Sequence, residues 1–216
     1  MKFFIDTANL AQIKEANELG ILDGVTTNPS LMAKEGIKGQ EAIFKHYKTI
    51  CEMVNGDISA EVVSTDFNGI VEEGKKLAAI HKNIVVKVPM IKDGVKAIKW
   101  FTDNGISTNC TLVFSAGQAI LCAKAGAKYV SPFIGRIDDS GWDGVLLIEQ
   151  IAKIYWVQGY KTEILAASIR SPNHIIRCAE AGAHVCTSPL ESILGLLKHP
   201  LTDIGLAKFL EDAKKL

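Results

Sequence analysis

The chain has 216 residues, and its 24 basic and 24 acidic side chains give a formal net charge of +0. This balance provides no electrostatic basis for binding nucleic acid or an anionic membrane, so we expect small neutral or locally anionic ligands. A hydrophobic content of 48% at this length predicts a single globular domain over residues 1–216, because α/β barrels of this size fold as one unit.

The amino-terminal apolar run is too short for a secretory signal, and no uncharged stretch approaches the roughly 18 residues of a membrane helix. The five cysteines are widely spaced and form no CxxC pair, which is typical of reduced thiols. We therefore expect a cytoplasmic protein.

Short apolar runs alternate with helical patterns along the whole chain, an order that is typical of βαβ units and a parallel sheet. The predicted strands cover residues 2–6, 24–27, 58–63, 84–88, 107–112, 129–133, 163–168 and 184–187. The predicted helices cover residues 10–19, 40–54, 69–80, 94–103, 116–125, 145–157, 173–181 and 190–198.

Helix-end residues support this division. Asp93, Ser115 and Ser171 are predicted N-caps, Pro172 suits a first helical position, and four glycines lie where left-handed C-terminal residues are expected: Gly20, Gly105, Gly126 and Gly182. Eight strand–helix pairs predict an α/β fold with a single closed (β/α)8 TIM barrel. An extra C-terminal helix, about residues 203–215, is expected to cap the barrel or to dock on another subunit.

Polar residues occur near the C-terminal end of every predicted strand, where TIM barrels place their catalytic groups. Taken singly, each has a structural explanation, since Asp and Asn cap turns, Ser and Thr suit strands, and Phe133 suits the core. Taken together on successive strands, they indicate a functional rim. Its members are Asp6, Thr26, Thr27, Asn28, Glu61, Lys87, Asn109, Thr111, Ser131, Arg136, Ser168, Arg170, Thr187 and Ser188.

Lys87 is the most informative of these residues, because it interrupts the buried β-branched run of residues 84–88. It could instead extend its amine to solvent or pair with a carboxylate. Burial disfavours the charged form of an amine, and a neutral amine can attack a carbonyl to form a Schiff base. The position therefore indicates covalent carbonyl chemistry.

Two of the three arginines follow strand ends and suggest phosphate binding, because a guanidinium can hold two phosphate oxygens at once. Arg136 has an equal alternative as a partner of Asp138 or Asp139. Arg170 is the better candidate, since it lies beside Ser168 and just before the helix start at Pro172. The sequence contains no HExxH, GxxxxGK[ST] or GxGxxG motif, so metal-assisted and nucleotide-driven chemistry lack support.

Six ordered segments now identify a resemblance. They are Phe4-Ile5-Asp6-Thr7-Ala8-Asn9, Gly24-Val25-Thr26-Thr27-Asn28-Pro29-Ser30, Val86-Lys87-Val88-Pro89, Thr108-Asn109-Cys110-Thr111-Leu112, Ser131-Pro132-Phe133-Ile134-Gly135-Arg136 and Ala167-Ser168-Ile169-Arg170. Together they resemble the transaldolase family over essentially the whole chain, and in particular its short-chain group, which also contains the fructose-6-phosphate aldolases. The resemblance implies a class I aldolase barrel with a Schiff-base lysine, no metal and no cofactor.

The resemblance also implies a role for each site residue. Lys87 is expected to form the Schiff base, Asp6 to act as the base, and Glu61 with Thr111 to hold a proton-shuttling water. Asn28, Asn109 and Ser131 are expected to bind the hydroxyl groups of a dihydroxyacetone unit, whereas Arg136, Ser168 and Arg170 hold the sugar phosphate. The resemblance further implies a ring-forming homo-oligomer, expected to be a decamer. It also implies a place in the pentose phosphate pathway.

Two positions separate the branches of the resembled group. The aldolase branch typically carries Gln where this chain has Glu61 and Tyr where it has Phe133, and the residues found here match the transaldolase branch. A tyrosine hydroxyl at this position can supply water or a proton that releases the three-carbon enamine. The sequence therefore favours transfer of a dihydroxyacetone unit, with a fructose-6-phosphate aldolase and a non-catalytic sugar-phosphate-binding barrel as the two alternatives.

Overall fold

The computed structural model describes all 216 residues, and its eight parallel strands form a closed barrel in chain order. Each strand pairs with the next, and the last pairs with the first. The strands are β1 (Lys2–Asp6), β2 (Gly24–Thr26), β3 (Asp57–Glu61), β4 (Ile84–Pro89), β5 (Thr108–Val113), β6 (Tyr129–Pro132), β7 (Glu163–Ala166) and β8 (Val185–Ser188). The predicted (β/α)8 TIM barrel is confirmed.

Eleven helices connect and follow these strands. They are α1 (Leu10–Glu18), α2 (Pro29–Lys34), α3 (Gln40–Met53), α4 (Phe67–Ala78), α5 (Lys92–Asp103), α6 (Ala116–Ala125), α7 (Ile134–Asp139), α8 (Gly144–Gln158), α9 (Pro172–Glu180), α10 (Leu190–Gly195) and α11 (Pro200–Ala213). The short helices α2 and α7 were not predicted. Both begin directly after a barrel strand, at the end of the barrel where the polar residues were expected.

The helix ends follow most of the predicted capping residues. Ser115 and Ser171 accept hydrogen bonds from backbone N–H groups of α6 and α9, as predicted. The prediction for Asp93 was wrong, because α5 starts at Lys92, two residues before the predicted start, and the Asp93 carboxylate accepts the N–H of Phe67. Helix α11 starts at Pro200 rather than about residue 203, because the His199 side chain caps it and proline suits its first turn.

The apolar core has two layers. The larger layer lies between the barrel and its helices, and it includes the outward-facing Val86 and Val88 of β4. A smaller cluster fills the lower part of the barrel itself: Phe4, Val85, Tyr129, Leu165, Ala167 and Val185. Because side chains alternate along a strand, Lys87 points into the barrel on the same side as Val85. The barrel interior is thus apolar below Lys87 and polar at and above it.

Gly24 makes this packing possible at β2. A Cβ atom there would lie 2.6 Å from the Phe4 ring and 2.5 Å from the Asp57 carbonyl oxygen. The space of the missing side chain lets the Phe4 ring enter the barrel, where it packs edge-on against Tyr129 with a centroid distance of 5.8 Å. This aromatic pair supports the floor on which the polar layer rests.

Helix α11 extends from the barrel with no buried side chain. Its large apolar side chains are more than half exposed: Leu201, Ile204, Leu206, Phe209 and Leu210. No helix of the structure has both the length and the apolar character needed to cross a membrane.

Candidate active site

A small cavity of about 110 Å³ lies at the C-terminal mouth of the barrel. Seven of the eleven predicted site residues line it, together with two threonines and an alanine that the prediction did not include. The lining residues are Asp6, Thr26, Asn28, Lys87, Ser131, Phe133, Arg136, Ala167, Ser168 and Thr187. They come from six of the eight strands or from the loops that follow, so only the closed barrel brings them together.

Lys87 is buried at the floor of this cavity, with only 4% of its surface exposed. Its Nζ donates to the backbone oxygen of Thr27 at 2.9 Å and contacts the Glu61 Oε2 atom, also at 2.9 Å. The side chain therefore does not extend to solvent. It does pair with a carboxylate, which is the structural role that the sequence left open beside the chemical one.

Glu61 reaches Lys87 from β3, where the two residues are direct register partners. It does not line the small cavity but borders a second cavity of about 570 Å³ between α2, α3 and α4. Thr111, its expected partner in holding a water, is fully buried, and its hydroxyl makes no hydrogen bond within the protein. Glu61 thus contacts the lysine directly, and the free hydroxyl of Thr111 retains its capacity to donate and accept.

Asp6 lies at the end of β1, on the cavity wall. Its Oδ1 accepts a hydrogen bond from the Thr26 hydroxyl at 2.7 Å, and the Thr187 hydroxyl lies 2.6 Å from that of Thr26. Because the Thr26 hydrogen points to Asp6, Thr187 donates to Thr26. Burial raises the pKa of the Asp6 carboxyl group, with the Lys87 charge and the Thr26 hydrogen bond acting in the opposite direction.

A raised pKa makes Asp6 a better proton acceptor than an ordinary carboxylate, as a general base requires. The two carboxyl groups of Asp6 and Glu61 thus lie on separate strands around one amine. No three His, Cys, Asp or Glu side chains of the structure are grouped as ligands for a metal ion. Asp6 and Lys87 line the cavity, and Glu61 contacts the lysine from outside it.

The three predicted hydroxyl-binding residues differ in their surroundings. Asn28 caps α2 by accepting the Leu31 N–H at 2.9 Å, and it also lines the cavity, so its structural and functional roles are compatible. Asn109 is fully buried and lies away from the cavity surface, because its amide is bound by Ser59 and Ser131. Ser131 lines the cavity, donating to the Asn109 oxygen at 2.7 Å.

Phe133 and Arg136 form one wall of the cavity. The Arg136 guanidinium carbon lies 4.9 Å from the centre of the Phe133 ring, which in turn packs against Phe114 at 5.7 Å. Arg136 makes no ion pair with Asp138 or Asp139, the alternative that its sequence position had left open. Its N–H groups remain available at the mouth, and the aromatic ring fixes where they lie.

Ser168 and Arg170 both follow β7, but only Ser168 lines the cavity. Strand β7 ends at Ala166, and Ser168 takes a left-handed backbone conformation with φ 59° that turns it to the cavity wall. A non-glycine residue in this conformation is uncommon, and such residues concentrate at functional sites. Beyond Ala166 the side chains no longer alternate between two faces as they do along a strand. Alternation therefore does not place Ser168 and Arg170 on one face.

Arg170 does not line the cavity. Both of its terminal nitrogens bind the two carboxylate oxygens of Asp139, at the end of α7. Its stem passes over Gly135, where a Cβ atom would lie 2.7 Å from the Arg170 Nε. The role of Arg170 in holding a phosphate stays a prediction, as do the roles of the other ten predicted site residues, whether or not they line the cavity.

Sequence reasoning missed three residues that shape the site. Thr26 and Thr187 were recognised as polar strand ends without a role, although alternation from Gly24 and Val185 places both inside the barrel. Asp139 was considered only as a possible partner of Arg136. No local pattern connects it with Arg170, because the two residues are 31 positions apart and follow different strands.

Comparison with known proteins shows which family the chain resembles, and the similarity extends over nearly its whole length. A family model described as transaldolase/fructose-6-phosphate aldolase matches residues 3–216. Proteins named "Probable transaldolase" from Cytophaga hutchinsonii, Parabacteroides distasonis and Phocaeicola vulgatus are 68%, 67% and 66% identical to this chain. Each alignment covers 100% of this chain and 99% of the relative.

A more distant likeness concerns the fold alone. The solved structure of a thiamine phosphate pyrophosphorylase from Pyrococcus furiosus superposes with a TM-score of 0.59 at 14% identity. The match covers 86% of this chain and 84% of that one. At this identity it supports the barrel architecture and carries no information about the reaction.

Proposed function

Because this chain belongs to the transaldolase/fructose-6-phosphate aldolase family, we propose that it is a transaldolase that transfers a dihydroxyacetone unit through a Schiff base on Lys87. The donor is sedoheptulose 7-phosphate or fructose 6-phosphate, and the acceptor is an aldose phosphate of the pentose phosphate pathway. The observation that carries this proposal is the buried Lys87 amine at the mouth of the barrel, flanked by Glu61 and Asp6.

The first step joins the lysine and the ketose. One proton leaves Nζ, the amine attacks the ketose carbonyl carbon, and loss of water gives an iminium ion. Glu61 contacts Nζ directly and is placed to take and return these protons, with the free Thr111 hydroxyl as a further donor or acceptor.

The second step breaks the carbon–carbon bond next to the iminium ion. Asp6 takes the proton of the donor hydroxyl, the electron pair of the broken bond moves into the iminium, and an aldose phosphate leaves. Burial raises the pKa of Asp6, which suits this role. The resulting enamine stays on Lys87 and adds to the acceptor aldehyde by the same steps in reverse, with Asp6 returning its proton.

The remaining side chains bind the substrate. Asn28 and Ser131 face the cavity and bind the hydroxyl groups of the dihydroxyacetone unit, and Asn109 fixes the Ser131 hydroxyl from behind. Arg136, Ser168 and Arg170 hold the phosphate of donor and acceptor, with Arg136 and Ser168 on the cavity wall and Arg170 two residues beyond Ser168. Phe133 supplies an apolar surface without a hydroxyl group, which leaves the enamine waiting for its acceptor.

Borohydride trapping tests the Schiff base directly. Reduction in the presence of fructose 6-phosphate should fix a three-carbon or six-carbon adduct on the peptide that contains Val86 to Met90. The Lys87→Met variant should give none, whereas Lys2→Met, at the opposite end of the barrel, should keep the adduct. Absence of an adduct on the wild-type peptide would end the Schiff-base proposal.

An acceptor-dependence assay separates transfer from its two alternatives. A transaldolase turns over fructose 6-phosphate only when erythrose 4-phosphate is added, whereas a fructose-6-phosphate aldolase releases free dihydroxyacetone without it. Sugar-phosphate binding with no turnover under either condition would instead favour the non-catalytic barrel.

We also infer a ring-forming homo-oligomer, with ten subunits as the expected number, in the cytoplasm. The support for assembly is helix α11, whose large apolar side chains are all more than half exposed. The support for the compartment is that all five cysteines are free and buried thiols. Mass measurement in solution tests the assembly.

A further inference from the structure

Arg170 and Asp139 form a bidentate ion pair near the proposed phosphate site, which Arg136 and Ser168 line. Both terminal nitrogens of the guanidinium bind both oxygens of the carboxylate. This is the geometry that arginine uses to hold two oxygens of a phosphate group. Asp139 thus occupies the same donor groups of Arg170 that a substrate phosphate would use.

The backbone nearby holds Arg170 within reach of the cavity. Ser168, two residues earlier, lines the cavity, and its carbonyl oxygen accepts the Gly135 N–H at 3.1 Å. The missing side chain of Gly135 lets the arginine stem lie against α7, which carries Arg136 on the cavity wall and Asp139 three residues further on. Arg170 therefore binds Asp139 on α7, while the loop that carries it reaches the cavity wall at Ser168.

Asp139 remains negatively charged in this position. The hydrogen bonds from Arg170 hold the pKa of the Asp139 carboxyl group below its usual range, and the Arg136 charge acts in the same direction. The pair is about half exposed, so water and a bound phosphate can reach it. An exposed ion pair of this kind is weak enough to be exchanged, whereas a buried one would not be.

We propose that Asp139 competes with the substrate phosphate for Arg170 and thereby keeps phosphate binding weak enough for one aldose phosphate to be exchanged for another. The inference rests on the proposed transfer reaction, in which the first aldose phosphate must leave the phosphate site before the acceptor can enter it. A site that held phosphate with both arginines at full strength would slow this exchange. Asp139 acts through Arg170 in this scheme and is a positioning residue, not a catalytic one.

The test is the affinity for inorganic phosphate, measured by calorimetric titration of the whole protein, which requires no turnover. Asp139→Asn keeps the shape of the side chain and removes its charge. We expect its dissociation constant for phosphate to fall roughly fivefold, the ratio that corresponds to an exposed ion pair. The KM for fructose 6-phosphate should fall with it, while kcat does not rise.

A matched control separates competition from a general change in charge. Asp143 forms a comparable exposed pair with Arg177 on the neighbouring helices and lies outside the cavity lining. Asp143→Asn should leave phosphate affinity within twofold of the wild type. In the Arg170→Gln background, Asp139→Asn should no longer change the dissociation constant, because the shared donor is absent.

Three results would overturn the proposal. They are unchanged or weaker phosphate binding by Asp139→Asn, an equal gain in the Arg170→Gln background, and no measurable phosphate binding by either protein. Failure of the proposed transfer reaction is distinguishable from all three. It would appear as missing turnover, while the dissociation constant for phosphate would still be lower for Asp139→Asn than for the wild type.

Discussion

Glu61 and Lys87 are register partners on β3 and β4, and their charged groups meet at 2.9 Å inside the barrel. The barrel therefore provides the lysine with a direct carboxylate partner on one side and the cavity on the other. Asp6 lines the cavity from β1, two strands around the barrel from Glu61 on β3. In the proposed reaction, the proton that leaves the amine before attack thus has an acceptor in contact, and the Asp6 carboxyl group is placed to accept the proton of the substrate hydroxyl.

Glu61→Gln tests whether this contact transfers protons. The variant keeps the size and a hydrogen bond to Lys87 but cannot accept a proton, so we expect kcat to fall on the order of 10²-fold, the lower range for a general acid–base group. Rapid trapping should show slower adduct formation with fructose 6-phosphate. Glu72→Gln, which borders the same outer cavity from the surface, serves as the control and should stay within twofold of the wild type. Equal rates for both variants would assign Glu61 a purely structural role.

The barrel and the inward position of Lys87 could be predicted because both follow from local periodicity. Strand β1 was placed at its observed residues, and the alternation that puts Lys87 beside Val85 holds in the structure. The short helices α2 and α7 were missed because six residues give too little pattern for a helix to be recognised.

The contacts between side chains could not be predicted in the same way. Alternation places Glu61 and Lys87 inside the barrel but does not fix the register of the two strands, which determines whether they touch. The left-handed turn at Ser168 ends the alternation and sends Arg170 to Asp139. Both features depend on contacts between residues that are distant in sequence. They therefore cannot be predicted from local sequence patterns alone.

Asp6→Asn tests the buried carboxyl group through activity and stability together. The variant can still accept the Thr26 hydrogen bond but cannot act as a base, so kcat should fall on the order of 10²-fold or more. In the wild type, the acidic limb of the kcat profile should lie at a higher pH than an ordinary aspartate would give, because burial raises the pKa of Asp6. A pH–rate profile measures this limb.

The stability effect has a definite sign. Because the pKa of Asp6 is higher in the folded protein than in the unfolded chain, stability is lost as the pH rises through the folded value. The Asp6→Asn variant lacks this loss and should unfold at a higher temperature than the wild type at pH 7, with the difference closing below about pH 4. Asp143→Asn should shift the unfolding temperature slightly in the opposite direction, because Arg177 lowers the pKa of Asp143. A lower unfolding temperature for Asp6→Asn at pH 7 would contradict the raised pKa.

Phe133→Tyr tests the proposal that Phe133 lets the enamine persist until the acceptor binds. The ring lines the cavity beside Arg136, so a para-hydroxyl group would add a proton donor at the proposed position of the three-carbon intermediate. We expect the ratio of free dihydroxyacetone to transferred product to rise several-fold, measured with fructose 6-phosphate at a fixed concentration of erythrose 4-phosphate. Phe114→Tyr, in the ring that packs behind Phe133, is the control and should leave the ratio unchanged. The same partitioning in both variants would refute the role given to Phe133.

Gly135→Ala tests the close approach of α7 to the loop after β7, which carries Ser168 and Arg170 of the proposed phosphate site. An added Cβ would lie 2.3 Å from the Ser168 carbonyl oxygen and 2.7 Å from the Arg170 Nε, so the loop after β7 must move. Overpacking of this kind costs about 1–3 kcal/mol in the free energy of unfolding. The KM for fructose 6-phosphate should rise at the same time, because Ser168 is displaced from the cavity.

Gly117→Ala is the matched control, since a Cβ there meets nothing closer than 3.9 Å. That substitution should stabilise α6 by about 0.5–1 kcal/mol, because alanine favours a helix over glycine. Denaturant unfolding and steady-state kinetics on both variants measure the two effects. A Gly135→Ala protein with wild-type stability and KM would show that the loop after β7 accommodates the methyl group freely, and the proposed phosphate site would then need no glycine at α7.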